Sequence, residues 1–337
     1  MNEAELDEML SAPRRETAEA LRHCPGDIVV LGAGGKMGPT VARMAARAAA
    51  QVGDGRRVFA VSRFSSPDVA RALGAAGVET IACDLLDRDA VAVLPDAPNV
   101  IFMAGQKFGT SGTPATTWAM NTIVPAICAE RYRAARLVAF STGNVYPLTP
   151  AASDGAGEED PVGPVGEYAS SALGRERVIE FYSSRYGTPA SIVRLNYAID
   201  LRYGVLADIA LRVWRNEPVP VAMGYVNVIW QGDASRIAIE SLALAATPPF
   251  VVNVTGTKTL SVRAIAGAFG DALGKPVRFK GKERADALLS NTGRMRASFS
   301  PPEVELDTMI RWIADWIRAN GPMLGKPTHF EERSGKF

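Results

Sequence analysis

From Asp27 onward, short apolar runs alternate with longer stretches whose apolar residues recur every three to four positions. The runs fall at 28–31, 58–61, 78–82, 100–103, 137–140 and 191–195. They are continuous rather than alternating, the pattern of strands covered on both faces. The stretches between them, at 37–50, 67–73, 116–132 and 167–186, predict amphipathic helices. Strand and helix alternating at this spacing predict a doubly wound α/β fold, a parallel sheet with helices on both faces. After Asn196 the rhythm loosens. Helical patterns at 205–215, 234–246, 262–273 and 306–319 mix with short strand patterns at 219–222, 226–230, 250–254 and 277–279. These predict a smaller, less regular C-terminal α/β lobe, with some segments returning to the main sheet.

Residues 1–26 predict an N-terminal helical extension. Leu6, Met9 and Leu10 share one side, Pro13 interrupts it, and Pro25-Gly26-Asp27 makes a turn. It reads as a packing arm or an oligomer contact. Residues 151–166, rich in Gly, Pro and acid, read as a loop, either a connector or a flexible lid. The tail 321–337 reads as irregular.

Composition narrows the function classes. Lys and Arg total 37 and Asp and Glu total 36, a balance that argues against a protein built to bind nucleic acid. No apolar run approaches the ~20 residues of a membrane helix. Glu3, Glu5, Asp7 and Glu8 stand where a signal peptide needs a basic and then an apolar segment. Cys24, Cys83 and Cys128 have no paired spacing, so a reduced, cytoplasmic protein is expected, with no disulfide scaffold or thiolate metal site. With His23 and His329 as the two histidines, neither a His triad nor a His metal cluster is expected.

The first strand run leads into Gly32-Ala33-Gly34-Gly35-Lys36-Met37-Gly38 and then a helical pattern. Glycines there permit a sharp turn and let a pyrophosphate approach the helix N-terminus, whose free N–H groups favour an anion. Strand, turn and helix agree, so Gly32, Gly35, Lys36, Met37 and Gly38 are assigned to a dinucleotide cofactor.

The spacing Gly32-x-x-Gly35-x-x-Gly38 resembles that of the extended short-chain dehydrogenase/reductase family, the NAD(P)-dependent sugar epimerases and dehydratases. The resemblance extends through most of residues 27–320. It implies a Rossmann-like dinucleotide-binding domain over 27–195, with 196–337 mainly a substrate-binding lobe and tail. Residues 78–85 resemble the family's third strand, which implies adenine contacts for Asp84 and Leu85. Residues 101–109, Ile-Phe-Met-Ala-Gly-Gln-Lys-Phe-Gly, resemble its fourth strand and loop. That implies cofactor contacts at Ala104 and Gly105 and a phosphate contact for Lys107. Asn121 matches the family's structural Asn and is placed with the cofactor set. The second strand ends Val61-Ser62-Arg63, with no carboxylate for the ribose hydroxyls of NAD. Arg63, with Lys36 as a second charge, suits the 2′-phosphate of NADP, so NADP is expected, with NAD as the alternative.

Residues 137–146 resemble the family's fifth strand, which implies that Thr142 holds the reacting substrate oxygen beside Ser141. Gly143 and Asn144 occupy the positions where family dehydratases carry an Asp-Glu pair, so dehydration is disfavoured. Tyr168 matches the acid/base residue of Tyr-x-x-x-Lys, but the Lys position is Ala172. Arg175, three positions further along the same helix, lies roughly 10 Å along the axis from Tyr168, too far to replace that Lys simply. Lys107, a water or the cofactor ring are the candidate stand-ins. Asn144, Asn196 and Tyr197 join Ser141 as substrate contacts, Trp230 reads as buried and Asp233 as a structural acid. The expected function is an NAD(P)-dependent oxidoreductase or epimerase acting on a hydroxyl or keto carbon of a sugar-like small molecule. The alternatives are a non-catalytic NADP(H)-binding regulator, or a lyase or isomerase with a recycled nicotinamide. The resemblance also implies a homodimer built on helices 116–132 and 167–186.

Overall fold

The computed structural model describes residues 1–107, 112–326 and 328–336. Seven strands make the main sheet: β1 Ile28–Leu31, β2 Val58–Ser62, β3 Glu79–Ala82, β4 Asn99–Phe102, β5 Arg136–Thr142, β6 Ala190–Leu195 and β7 Phe250–Val254. Their order across the sheet is 3-2-1-4-5-6-7, with every neighbouring pair parallel. Every residue of β1 and β4 is buried, as their unbroken apolar runs require, while the edge strand β3 is largely exposed. The order reverses between β1 and β4. In such sheets a crevice opens at the carboxyl ends of those two strands.

The helices are α1 Glu3–Leu10, α2 Arg15–Arg22, α3 Gly38–Val52, α4 Pro67–Ala75, α5 Arg88–Ala92, α6 Pro114–Trp118, α7 Val124–Arg131 and α8 Gly166–Tyr186. Then come α9 Val205–Trp214, α10 Gln231–Glu240, α11 Val262–Leu273, α12 Gly293–Ser298 and α13 Leu306–Arg318. One finding departs from the expectation. The segment at 116–132 is not one helix: a π turn, Ala119–Ile123, separates α6 from α7. Pro125 has no N–H to donate to the carbonyl of residue 121, and the ladder widens just before it. The run at 250–254 is a C-terminal segment that returns to the main sheet, paired with β6 from Phe250↔Ser191 to Val254↔Leu195. Its Asn253 is buried and accepts the Tyr146 hydroxyl at 2.9 Å while donating to two carbonyls.

The N-terminal helices pack against the body as an arm. Leu6 and Leu10 enter the core of the second lobe, Arg14 pairs with buried Asp233 at 2.6 Å, and Thr17 donates to Glu240. That lobe is centred on the inward faces of α9, α11 and α13, including Ile209, Val213, Ile265, Phe269, Ile313 and Trp316. Full burial of each such side chain contributes about 1.5–3 kcal/mol. Trp230 is buried against Trp312. Among the described residues no helix is long and apolar enough to cross a membrane, and no three metal-ligating side chains cluster.

Candidate active site

The turn after β1 is dictated by backbone geometry. Gly32 has φ +86°, and a Cβ on it would lie 2.5 Å from the Ala104 nitrogen. A Cβ on Gly38 would meet the backbone of Ala33 at 2.5–2.6 Å. Only hydrogen fits at these two positions, and their closeness brings the N-terminus of α3 to the switch between β1 and β4.

Two clefts meet over this turn. One, of about 260 Å³, is lined by Gly32, Gly34, Gly35, Ser62, Arg63, Asp84, Leu85, Ala104 and Gly105 among others. The other, of about 240 Å³, holds Lys36, Met37, Gly38, Lys107, Ser141, Thr142, Asn144, Tyr168, Asn196 and Tyr197, and shares Gly32, Gly35 and Gly105 with the first. A groove with a glycine saddle over a helix N-terminus suits a dinucleotide: adenosine on the Arg63 side, pyrophosphate over the glycines, the reactive end beside Tyr168.

Some expected residues sit differently. Asn121 lines neither cleft. Its carboxamide holds the strand-four loop, accepting from the Gln106 N–H at 2.9 Å and donating to the Gln106 carbonyl and the Ser171 hydroxyl. The π turn places it there, where it holds the loop. Lys36 does not join Arg63. The two cations line different clefts, and the Lys36 ammonium lies 2.8 Å from the centre of the Tyr203 ring. Ser141 lines the cleft, but its hydroxyl donates to buried Glu176, which also pairs with Arg194 at 2.7 Å. Phe108 and Gly109, at the end of the expected loop motif, lie outside the described residues.

The reactive end is built around a hydroxyl pair. Thr142 ends β5 and lines the same cleft as the Tyr168 phenol, close enough for its hydroxyl to stabilise the ionised form. Thr142 also donates to the Asn144 carboxamide at 3.1 Å and accepts the Asn144 N–H at 3.2 Å. Burial raises the Tyr168 pKa above its ordinary value, while the Thr142 hydroxyl and the Arg175 charge pull it back. The phenol is therefore protonated at neutral pH. Tyr197 is held at φ +45°, a left-handed conformation unusual for a bulky residue, next to buried Asn196. Burial lowers the Lys36 pKa to about 6, with Lys107 and Lys326 adding repulsion, and lowers that of Lys107 to about 8. Among the described residues no carboxylate lines this cleft, whose basic side chains are Lys36, Lys107 and Arg175.

Arg175 departs from the expectation. The axial distance overstates its separation, because long helical side chains run back toward the N-terminus. Its guanidinium lines the same cleft as Tyr168 and donates to the Phe140 carbonyl at 2.7 Å and to Asn121 Oδ1 at 2.6 Å. Ala172, by contrast, is 1% exposed and packs with Val145, Tyr146 and Ala156. Thr328 is a residue the sequence does not announce. It lines the cleft from the tail, its N–H and hydroxyl both donating to Asp208. Nothing in the local sequence of an irregular tail marks such a residue. Tyr203 and Gln106 line the cleft as well.

Fold and groove define a doubly wound α/β protein with a glycine-turn cleft at its switch point. The chain belongs to the NAD dependent epimerase/dehydratase family, whose model matches residues 28–199. Members of this family are NAD-dependent enzymes. No curated protein sequence matches the chain. Among solved structures it is similar to the dTDP-glucose 4,6-dehydratase DesIV of Streptomyces venezuelae with NAD and TYD bound, with TM-score 0.74 and 18% identity, covering 87% of this chain and 97% of that one. It is also similar to the UDP-glucose 4-epimerase of Thermus thermophilus in complex with NAD, with TM-score 0.70 and 20% identity over 87% and 99% of the two chains. The UDP-glucose 4-epimerase of Thermotoga maritima gives TM-score 0.69 and 18% identity over the same shares. At these identities the likeness is one of fold.

Proposed function

We propose that the protein is an NADP(H)-dependent oxidoreductase or epimerase acting on a hydroxyl or keto carbon of a sugar-like small molecule. The observation that carries this reading is the Thr142–Tyr168 hydroxyl pair, set in the cleft that the glycine turn opens into. A protein that only bound the dinucleotide would need no such polar floor.

When bound, the nicotinamide supplies the hydride chemistry. The chain supplies the rest. Thr142 orients the reacting substrate oxygen, and Tyr168, protonated at neutral pH, delivers a proton to it as negative charge develops. In the oxidative direction the phenol must first lose its proton, which burial opposes, so reduction is the easier direction. Asn144, Asn196 and Tyr197 hold the neighbouring hydroxyls. The absence of a lining carboxylate among the described residues weighs against dehydration, which needs an acid to expel water. Arg63 at the end of β2 favours the 2′-phosphate of NADP. Ile123, Phe181 and Tyr186 are exposed apolar residues on the π turn and α8, and they support a homodimer through these helices.

The test is calorimetry with oxidised and reduced NADP and NAD, followed by a screen of sugars, sugar acids and nucleotide sugars for nicotinamide absorbance change and isomerisation. Tight NADP binding with turnover of one class supports the reading. Tight binding with no turnover across the panel makes the protein a regulator, and absence of heat with any coenzyme removes the dinucleotide site.

A further inference from the structure

The position four residues after Tyr168 cannot present a cation to the cleft: Ala172 is buried against Val145, Tyr146 and Ala156. A cation nonetheless lines the same cleft as the phenol. We propose that Arg175 is the positioning residue that replaces the missing lysine, holding a permanent positive charge against the Thr142–Tyr168 pair from two turns further along α8. The proposal rests on the reading of Tyr168 as the acid/base group.

Three features seat the guanidinium. The Phe140 carbonyl, two residues before Thr142, accepts one nitrogen at 2.7 Å, and Asn121 accepts the other at 2.6 Å. Gly105 leaves the space that Arg175 occupies, since a Cβ there would collide with the guanidinium and lie 2.9 Å from Asn121 Oδ1. The seat is dry: Arg175 is 7% exposed, and its Nε has no hydrogen-bond partner among the described residues. An unscreened cation in such a place acts on its neighbours more strongly than one in water. Asn121, Gly105 and Arg175 thus form one device, which gives the π turn a function: it aims Asn121 at both the strand-four loop and the guanidinium.

Among the described residues, the other groups facing Tyr168 are Thr142 from β5, Lys107 from the strand-four loop with its ammonium 5.6 Å from the ring centre, and Tyr203 from the segment before α9. Lys107 is the rival cation. Burial brings its pKa down to about 8, so its charge fades as pH rises through that value. A guanidinium keeps its charge throughout.

The test needs neither substrate nor coenzyme, so its outcome is independent of whether the chain turns over any sugar. A fluorinated tyrosine, whose phenol titrates well below that of tyrosine, is installed at position 168 alone and titrated by absorbance. Arg175→Gln is expected to raise the midpoint by about one unit, the low end of what a close opposite charge does. Arg175→Lys should raise it less, and Lys107→Gln should move it less than Arg175→Gln. Gly105→Ala, which pushes the guanidinium aside without removing it, should shift the midpoint the same way and carries the test if Arg175→Gln does not fold. An unchanged midpoint in these variants, or a Lys107→Gln shift as large as that of Arg175→Gln, overturns the proposal.

Discussion

The two halves of the groove are built by different means. The half proposed for adenosine is made largely of backbone: a glycine saddle after β1 and the carboxyl ends of β2, β3 and β4, each contributing a short contiguous segment. The reactive half is made of side chains from distant places. Thr142 comes from β5, Tyr168 and Arg175 from α8, Asn196 and Tyr203 from the segments around β6 and α9, and Thr328 from the tail. A backbone-built site tolerates change in its side chains but not in its glycines. A site assembled from side chains should fail one function at a time.

The largest expected effect breaks the reactive half alone. Tyr168→Phe keeps the ring and removes the proton, and kcat should fall by about 10²–10⁴ while coenzyme affinity stays unchanged. Steady-state kinetics beside calorimetry read both, and a joint loss would mean that the two halves are not separable. Gly38→Ala makes the converse cut. Its Cβ would press on the Ala33 backbone, which cannot rotate away as a side chain can. Thermal unfolding should show a loss of about 1–3 kcal/mol, with coenzyme binding abolished. Retained binding would show that the saddle is not the seat of the pyrophosphate.

The same division explains what can be read in the sequence. The adenosine half is legible because each part is local. The apolar runs mark β1, β2 and β4 to within a residue, and the glycine spacing marks the turn. The reactive half is legible only where a motif keeps its spacing, as at Thr142 and Tyr168. Axial rise sets Arg175 aside because it measures Cα positions, whereas an extended arginine bends back along its helix. Charge alone groups Lys36 with Arg63, but the Lys36 ammonium rests on Tyr203, in a different cleft. The π turn that swings Asn121 inward leaves no trace in hydrophobic periodicity, and Thr328 reaches the cleft through tertiary contacts with Asp208.

A smaller effect belongs to the adenosine half. Arg63 is exposed at the end of β2, so its contact to a 2′-phosphate is screened by salt. Arg63→Ala should weaken NADP by about tenfold, at the low end for a charged hydrogen bond, and leave NAD nearly unchanged. Equal losses for both coenzymes would contradict the 2′-phosphate assignment.

The smallest effect distinguishes the halves by their protons. A guanidinium does not titrate in the working range, so coenzyme contacts to one move no protons. Lys36 is different: burial and the neighbouring ammoniums of Lys107 and Lys326 lower its pKa to about 6, so it is largely neutral at pH 7. A pyrophosphate over the glycine turn would favour the charged form and raise that pKa. Binding at pH 7 should therefore take up a fraction of a proton. Below pH 6 the lysine is already charged in the free protein, and affinity is at its highest. As pH rises above 6 the proton must be recovered from solvent and affinity falls, until the bound-state pKa is passed. Lys107, lowered to about 8, adds the same dependence in a higher window. Calorimetry in buffers of different ionisation enthalpy measures the uptake directly, and Lys36→Gln should remove the part that appears between pH 6 and 8. Proton release, or uptake unchanged by Lys36→Gln, would place the phosphates away from the lysine and leave the glycine turn as the sole anion site.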